Sequence, residues 1–147
     1  MAYFTYDTSA IIARRSIDLR TDQSWLLLSS IVLLELTASA VDDSQCKAFE
    51  QLFGEHQQNN SLLVPTDEDW LFASRILFWL TRRRRRVQGG RLSPLNPGMA
   101  QRMALHALLA VSARIRRATI VTENWKDFKA IQHFCNVMLI KASDFFK

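Results

Sequence analysis

Five short runs of β-forming residues, separated by segments with helical patterning, constrain this chain most. They are Tyr3 to Tyr6, Leu26 to Leu28, Ser61 to Val64, Thr119 to Val121 and Val137 to Ile140. Short apolar strands alternating with helices predict a parallel α/β sheet with right-handed crossovers. In such sheets ligands gather in the crevice at the carboxyl ends of the strands, at a topological switch point. Asp7 and Asn124 each sit just past a strand. If those strands are neighbours, the two side chains share that crevice.

The helices are read from caps and stops. Thr8-Ser9 offers cap chemistry for a short helix over Ala10 to Arg14, and Asp18 to Asp22 reads as a polar loop. Ser29 or Ser30 caps a helix to about Val41. A second runs from Ser44 to Phe53, with Gly54 as its stop and Gln57 to Asn60 as a loop. Thr66 and Asp69 form a capping box, with Asp67, Glu68 and Asp69 complementing the helix dipole. That helix runs into the arginines and stops at Gly89-Gly90, and Arg91 to Gly98 reads as a loop. Asn96-Pro97 is a cap and first-position pair for a helix from Gly98 to about Arg117, and Trp125 to His133 is a short helix.

With 147 residues the chain reads as one domain over 1–147, large enough for a real core. Its net charge of +5 favours nucleic acid or an acidic partner. The longest apolar stretch, Trp25 to Leu36, is interrupted by Ser29, Ser30 and Glu35, so no membrane span is expected. The opening residues carry no basic leader or cleavage pattern, which predicts a cytoplasmic protein. Cys46 and Cys135 are far apart and lack partners at metal spacing, as expected of reduced, partly buried thiols.

Asp7 before Thr-Ser reads, on local sequence, as a turn or cap residue first, with the start of a site as the alternative. Glu35, set among Ile31, Val32, Leu33, Leu34 and Leu36, needs a partner: an arginine, a proton or a metal ion. Asp7 and Glu35 together suggest a hard-cation site, since Mg²⁺ or Mn²⁺ takes few oxygen ligands from protein and keeps waters and phosphate oxygens. Arg82, Arg83, Arg84, Arg85 and Arg86 read either as a solvated helix end or as a phosphate-binding run. Arg114, Arg116 and Arg117 would extend a basic surface. The four tryptophans read as core or interface residues rather than base platforms.

Four segments together resemble PIN domains, nearest the VapC-type toxins of toxin–antitoxin pairs. Tyr6-Asp7-Thr8-Ser9-Ala10-Ile11-Ile12 is similar to the family's opening Asp-Thr-Ser segment. Ser29 to Leu36 is similar to its Glu-Leu helix, and Leu105 to Ala110 to its Asn-Asp-Ala helix. Ile120 to Phe128 is similar to its Thr-Glu-Asn and Asp-Phe segment, the most specific of the four. The resemblance implies a three-layer α/β/α domain with a central, mostly parallel, short-stranded sheet. It implies a Mg²⁺- or Mn²⁺-dependent endoribonuclease, with RNA as substrate, a small antitoxin as partner and a homodimer as assembly.

Carried over residue by residue, the resemblance makes Asp7, Glu35, His106 and Asn124 the catalytic positions. Asp7, Glu35 and Asp127 would be the metal-side acids, and Thr8, Ser9 and Thr122 the supporting polar groups. His106 stands where the family has Asp, and Asn124 where it has Asp or Asn. The histidine removes a negative charge, and imidazole suits Zn, Ni or Mn better than Mg. Three states are open for His106 as a site residue: an altered ligand or acid/base group, a weak Mg²⁺ site, or a disarmed pocket. A half-buried ring with its needs met, at the edge of an apolar helix face, is the alternative. The expected function is a nuclease toxin with an altered acidic site; the alternative is a degenerate PIN module that binds RNA or a protein without cutting.

Overall fold

The computed structural model describes residues 2–14, 17–87, with the backbone alone from residue 84, and 96–147. The strands are β1 (Tyr3–Tyr6), β2 (Leu28–Ser29), β3 (Leu62–Leu63), β4 (Ala118–Thr122) and β5 (Leu139–Lys141). The helices are α1 (Thr8–Ala13), α2 (Ser30–Ala38), α3 (Asp43–Gln58), α4 (Asp67–Val87), α5 (Pro97–Ile115), α6 (Trp125–Gln132) and α7 (Ala142–Phe145).

β1 pairs with β4, β4 with β5, and β2 with β3, all parallel. A single parallel bridge, Phe4 to Leu26, joins the two groups. The order is therefore β3-β2-β1-β4-β5, with the switch point at β1 and β4. Tyr6 aligns with Val121, and the Asp7 amide extends the ladder by donating to the Val121 carbonyl at 2.9 Å. Helices cover both faces of this sheet, as expected for the fold class.

The core forms where the apolar faces meet. Val32, Ala107, Val111, Ile120, Val121, Phe128 and Ile131 are fully buried. In α5 the burial extends along the helix from Met103 to Ala113 and takes in His106 and Ser112. Arg114, near the end of α5, lies over the Phe72 ring near the start of α4, so these helices pack with opposite sense.

Local chemistry sets several boundaries. Ser29 accepts the Ile31 amide, and Asn96 accepts the Met99 amide with Pro97 in the first turn, both as expected. Thr66 and Asp69 form the reciprocal box, at 3.2 and 3.0 Å. A second box, not anticipated, opens α3: Asp42 accepts the Gln45 amide and Gln45 accepts the Val41 amide, each at 2.8 Å.

Other boundaries differ from expectation. Gly54 does not end its helix; α3 continues to Gln58, and Asn60 turns the chain with φ 56°. A mid-helix glycine costs about 1 kcal/mol relative to alanine. Here the extra turn carries His56 into the interior, where both ring nitrogens find partners. Thr8 and Ser9 do not cap α1 but lie inside it, with Asp7 at the cap position. α2 ends at Ala38 rather than Val41, and α7 was not foreseen. Gly98 lies within α5. The Gly89-Gly90 stop and residues 91–95 of the expected loop lie outside the described residues, as do the side chains of Arg84, Arg85 and Arg86.

Candidate active site

Asp7 is the centre of a polar cluster at the carboxyl ends of β1 and β4. Its side chain is 1% exposed. As the cap residue of α1 it makes no side-chain cap bond. Its Oδ2 instead accepts the Ser9 hydroxyl at 2.7 Å, the Thr122 hydroxyl at 2.9 Å and the Asn124 amide at 3.4 Å. The turn-or-cap reading therefore misses what this side chain does. A buried carboxylate needs such donors to hold its charge.

The donors are themselves fixed. Thr122 Oγ1 accepts the Asn124 amide N–H at 2.8 Å, and Ser9 Oγ accepts that of Glu123 at 3.0 Å. These bonds tie the first turn of α1 to the chain leaving β4. The same donors all converge on Oδ2, leaving Oδ1 toward His106.

Glu35 reaches the cluster from α2. It is half-buried, and its Oε1 accepts the Thr8 hydroxyl at 3.1 Å. No arginine pairs with it among the described residues. Burial raises its pKa above the ordinary 4.5; the Thr8 bond opposes that rise, the Asp7 charge adds to it and His106 opposes it. A carboxylate left short of positive charge beside another carboxylate suits a cation, a proton or a donor-bearing ligand.

His106 enters from α5 and faces the cluster. The ring is 4% exposed, and its centroid lies 4.7 Å from that of Phe128. Its Nε2 is 3.9 Å from Asp7 Oδ1 and 3.5 Å from the Asn124 amide nitrogen. Its Nδ1 lies 3.3 Å from Asp127 Oδ2, within ion-pair range, yet off line for a hydrogen bond. The ring stands between two carboxylates, and its Nδ1 has no hydrogen-bond partner among the described residues.

Asp127, in the first turn of α6, lies at the rim. Its Oδ2 accepts Arg102 Nε at 2.9 Å. Arg102 was not singled out in the sequence. It precedes His106 by four residues on α5, so the two share a helix face, and that spacing was the available signal. The cluster thus joins Asp7, Thr8, Ser9, Glu35, His106, Thr122, Asn124 and Asp127, with Arg102 as an added member.

Among the described residues, no three acidic, histidine or cysteine side chains converge as a metal-holding group. What is present is a pair of carboxylates, Asp7 and Glu35. Two carboxylates are what Mg²⁺ commonly takes from protein, so the donor chemistry fits a hard cation completed by water and phosphate oxygens. Asp127 is already bound by Arg102. Arg82 and Arg83 are exposed on α4 and form no part of this cluster. No helix among the described residues is long and apolar enough to cross a membrane.

No protein-family model matches the chain. No curated protein matches it either. Solved structures do. A chain of DNA-bound VapBC from Salmonella typhimurium aligns with 17% identity over 97% of this chain and 99% of its own, at a TM-score of 0.55. VapBC-1 from nontypeable Haemophilus influenzae aligns with 18% identity over 97% and 99%, at 0.56. VapBC-5 from Mycobacterium tuberculosis, of the VapBC family of toxin–antitoxin systems, aligns with 20% identity over 96% and 99%, at 0.50. At these identities the likeness is one of fold: nearly the whole chain takes up the PIN-like α/β arrangement of those structures.

Proposed function

We propose that this chain is a PIN-type, metal-dependent endoribonuclease, the toxin of a toxin–antitoxin pair, with His106 in place of a site acid. The observation that carries this reading is the convergence of Asp7, Glu35, His106, Asn124 and Asp127 at the switch point between β1 and β4. The likeness in fold to VapBC structures supports it. The whole chain acts as one cytoplasmic domain, pairs with a second copy and is restrained by a small antitoxin.

In this reading Asp7 and Glu35 hold Mg²⁺ or Mn²⁺, with Asp127 at the margin, and the ion supplies a polarised water and charge neutralisation at the scissile phosphate. The chain's own groups do the positioning. Ser9, Thr122 and Asn124 lock Asp7 Oδ2, so Oδ1 keeps a single orientation. Thr8 orients Glu35. His106 supplies a nitrogen beside Asp7 Oδ1, where an RNA phosphate or a water proton would meet it. Arg102 holds Asp127 against the other ring nitrogen. Rate acceleration comes from orientation and electrostatic preorganisation.

The test is incubation of single-stranded RNA with the native chain and Asp7→Asn in Mg²⁺ and in Mn²⁺. The native chain should cut and the variant should not; equal rates would remove Asp7 from the site. One observation favours a second reading. His106 fills the space between Asp7 and Asp127, and no three-ligand group forms among the described residues. A chain that binds RNA or a protein partner without cleaving would show neither activity nor a response to Mn²⁺.

A further inference from the structure

Away from the Asp7 cluster, α4 and the end of α6 frame a recess of about 400 Å³. That lies within the range of small-molecule sites, roughly 300–1,000 Å³. Trp79, Arg82, Arg83, His133 and Phe134 line it. The Trp79 and Phe134 rings lie 5.5 Å apart at 33°, both half-buried, so they form one apolar wall rather than a slot. Arg82 and Arg83 are exposed, and neither pairs with a carboxylate among the described residues. Arg82 lies over the exposed Phe78 ring at 5.4 Å, which steadies its guanidinium at the rim.

We propose that this recess binds one nucleotide of single-stranded RNA, with a phosphate on Arg82 and Arg83 and an unstacked base against Trp79 and Phe134. The proposal rests on the reading of this chain as an RNA-acting protein. Cationic groups that track the backbone beside aromatic faces that take bases are how single strands are held without sequence readout. Duplex RNA offers no free base face, so it would not fill the aromatic wall. Guanidinium groups suit phosphate oxygens in paired hydrogen bonds. An acidic protein segment would satisfy the arginines but not the ring faces, which makes RNA the better fit.

The placement also links the recess to the Asp7 cluster. Asp127 lies in the first turn of α6, and Phe134 lies two residues past its end. An eight-residue helix is about 12 Å long, so Asp127 and the recess lie toward opposite ends of α6. A strand seated by its base at Phe134 would have to span that length to bring a neighbouring phosphate to Asp127. The recess would act as an upstream or downstream subsite that sets register at the cluster. Among the four tryptophans, Trp79 alone is assigned a role in base contact.

The experiment uses the full chain carrying Asp7→Asn, so that the RNA stays intact, with oligoadenylate and oligouridylate as probes. Binding is read by anisotropy across a salt series and by tryptophan quenching. Oligoadenylate should quench saturably, and adding Trp79→Phe should remove most of that signal. Adding Arg82→Gln and Arg83→Gln, both surface changes, should weaken binding about tenfold and lower the salt slope by roughly 1.4, at about 0.7 per phosphate contact. Unchanged affinity and slope in the arginine variant, or quenching that survives Trp79→Phe, would overturn the proposal. So would binding of a polyglutamate peptide in place of RNA, which would give the recess to an acidic protein partner. A native chain that shows the Trp79 quench but never cleaves would leave the subsite standing and remove the nuclease.

Discussion

Two buried histidines show how different the two halves of this sheet are. His56, at the β2–β3 side, is fully buried; its Nδ1 is 2.7 Å from the Ser61 hydroxyl and its Nε2 is 2.6 Å from the Leu19 carbonyl. Both nitrogens are satisfied by neutral partners, and the ring staples the end of α3 to β3 and to the loop before β2. His106, at the β1–β4 side, is as deep but stands between Asp7 and Asp127 with Nδ1 unsatisfied. An unsatisfied buried polar atom costs about 1–3 kcal/mol. The His106 ring faces two carboxylates, whereas the His56 ring meets only neutral partners.

Stability measurements break or sharpen this contrast. His56→Ala strands the Leu19 carbonyl, removes the shortest bond of the Ser61 hydroxyl and leaves a cavity, so it should cost about 3 kcal/mol. His106→Ala gives up ring packing on Phe128 but no aligned hydrogen bond from Nδ1, and should cost at most half as much. Urea unfolding of both checks the ranking; a larger loss at His106 would make it the structural residue.

Glu35 gives the next largest effect. Burial holds its pKa above the ordinary 4.5. A raised carboxyl pKa means the neutral form is favoured on folding. The stabilisation is fully present below about 4.5 and is lost as pH rises through the raised value. Glu35→Gln should therefore melt above the native chain at pH 7 and level with it near pH 4. Adding Mn²⁺ at pH 7 should raise the native melting temperature and leave Glu35→Gln unmoved. A Mn²⁺ response that is equal in both would take Glu35 out of the cation site.

Arg102→Gln should have the smallest effect. Its bond to Asp127 is at the rim, where ion pairs contribute about 0–1 kcal/mol. Stability should barely change, while cleavage falls several-fold as Asp127 loses its anchor beside His106. A drop in stability with unchanged cleavage would make the Arg102–Asp127 pair structural.

The sheet and the polar cluster were legible because they rest on patterns that survive packing. Short β-rich runs predicted parallel strands, and Asp7 and Asn124 past two of them predicted a shared crevice, since β1 and β4 are neighbours. Helix ends were less legible where tertiary contacts override local chemistry. Gly54 signals a stop, but the buried His56 beyond it draws α3 onward. Thr8 and Ser9 signal a cap, but their hydroxyls turn to Glu35, Asp7 and Thr122 instead. Arg102 and the wall of Trp79 with Phe134 were missed because their partners come from elsewhere in the fold, 25 and 55 residues away in sequence. Helix α7 carries Phe145, whose ring meets Phe4, Tyr6 and Trp25, a contact that no local signal in Ala142 to Phe145 announces.

The most direct test of the site is Mn²⁺-dependent RNA cleavage by the native chain, Asp7→Asn and His106→Asp, read beside the Mn²⁺ shift in melting temperature. A PIN-type centre altered at one position predicts that His106→Asp binds Mn²⁺ more tightly and cuts at least as fast as the native chain, while Asp7→Asn does neither. If His106→Asp neither gains Mn²⁺ affinity nor cleaves, and Asp7→Asn behaves like the native chain, the cluster between β1 and β4 is not a nuclease centre.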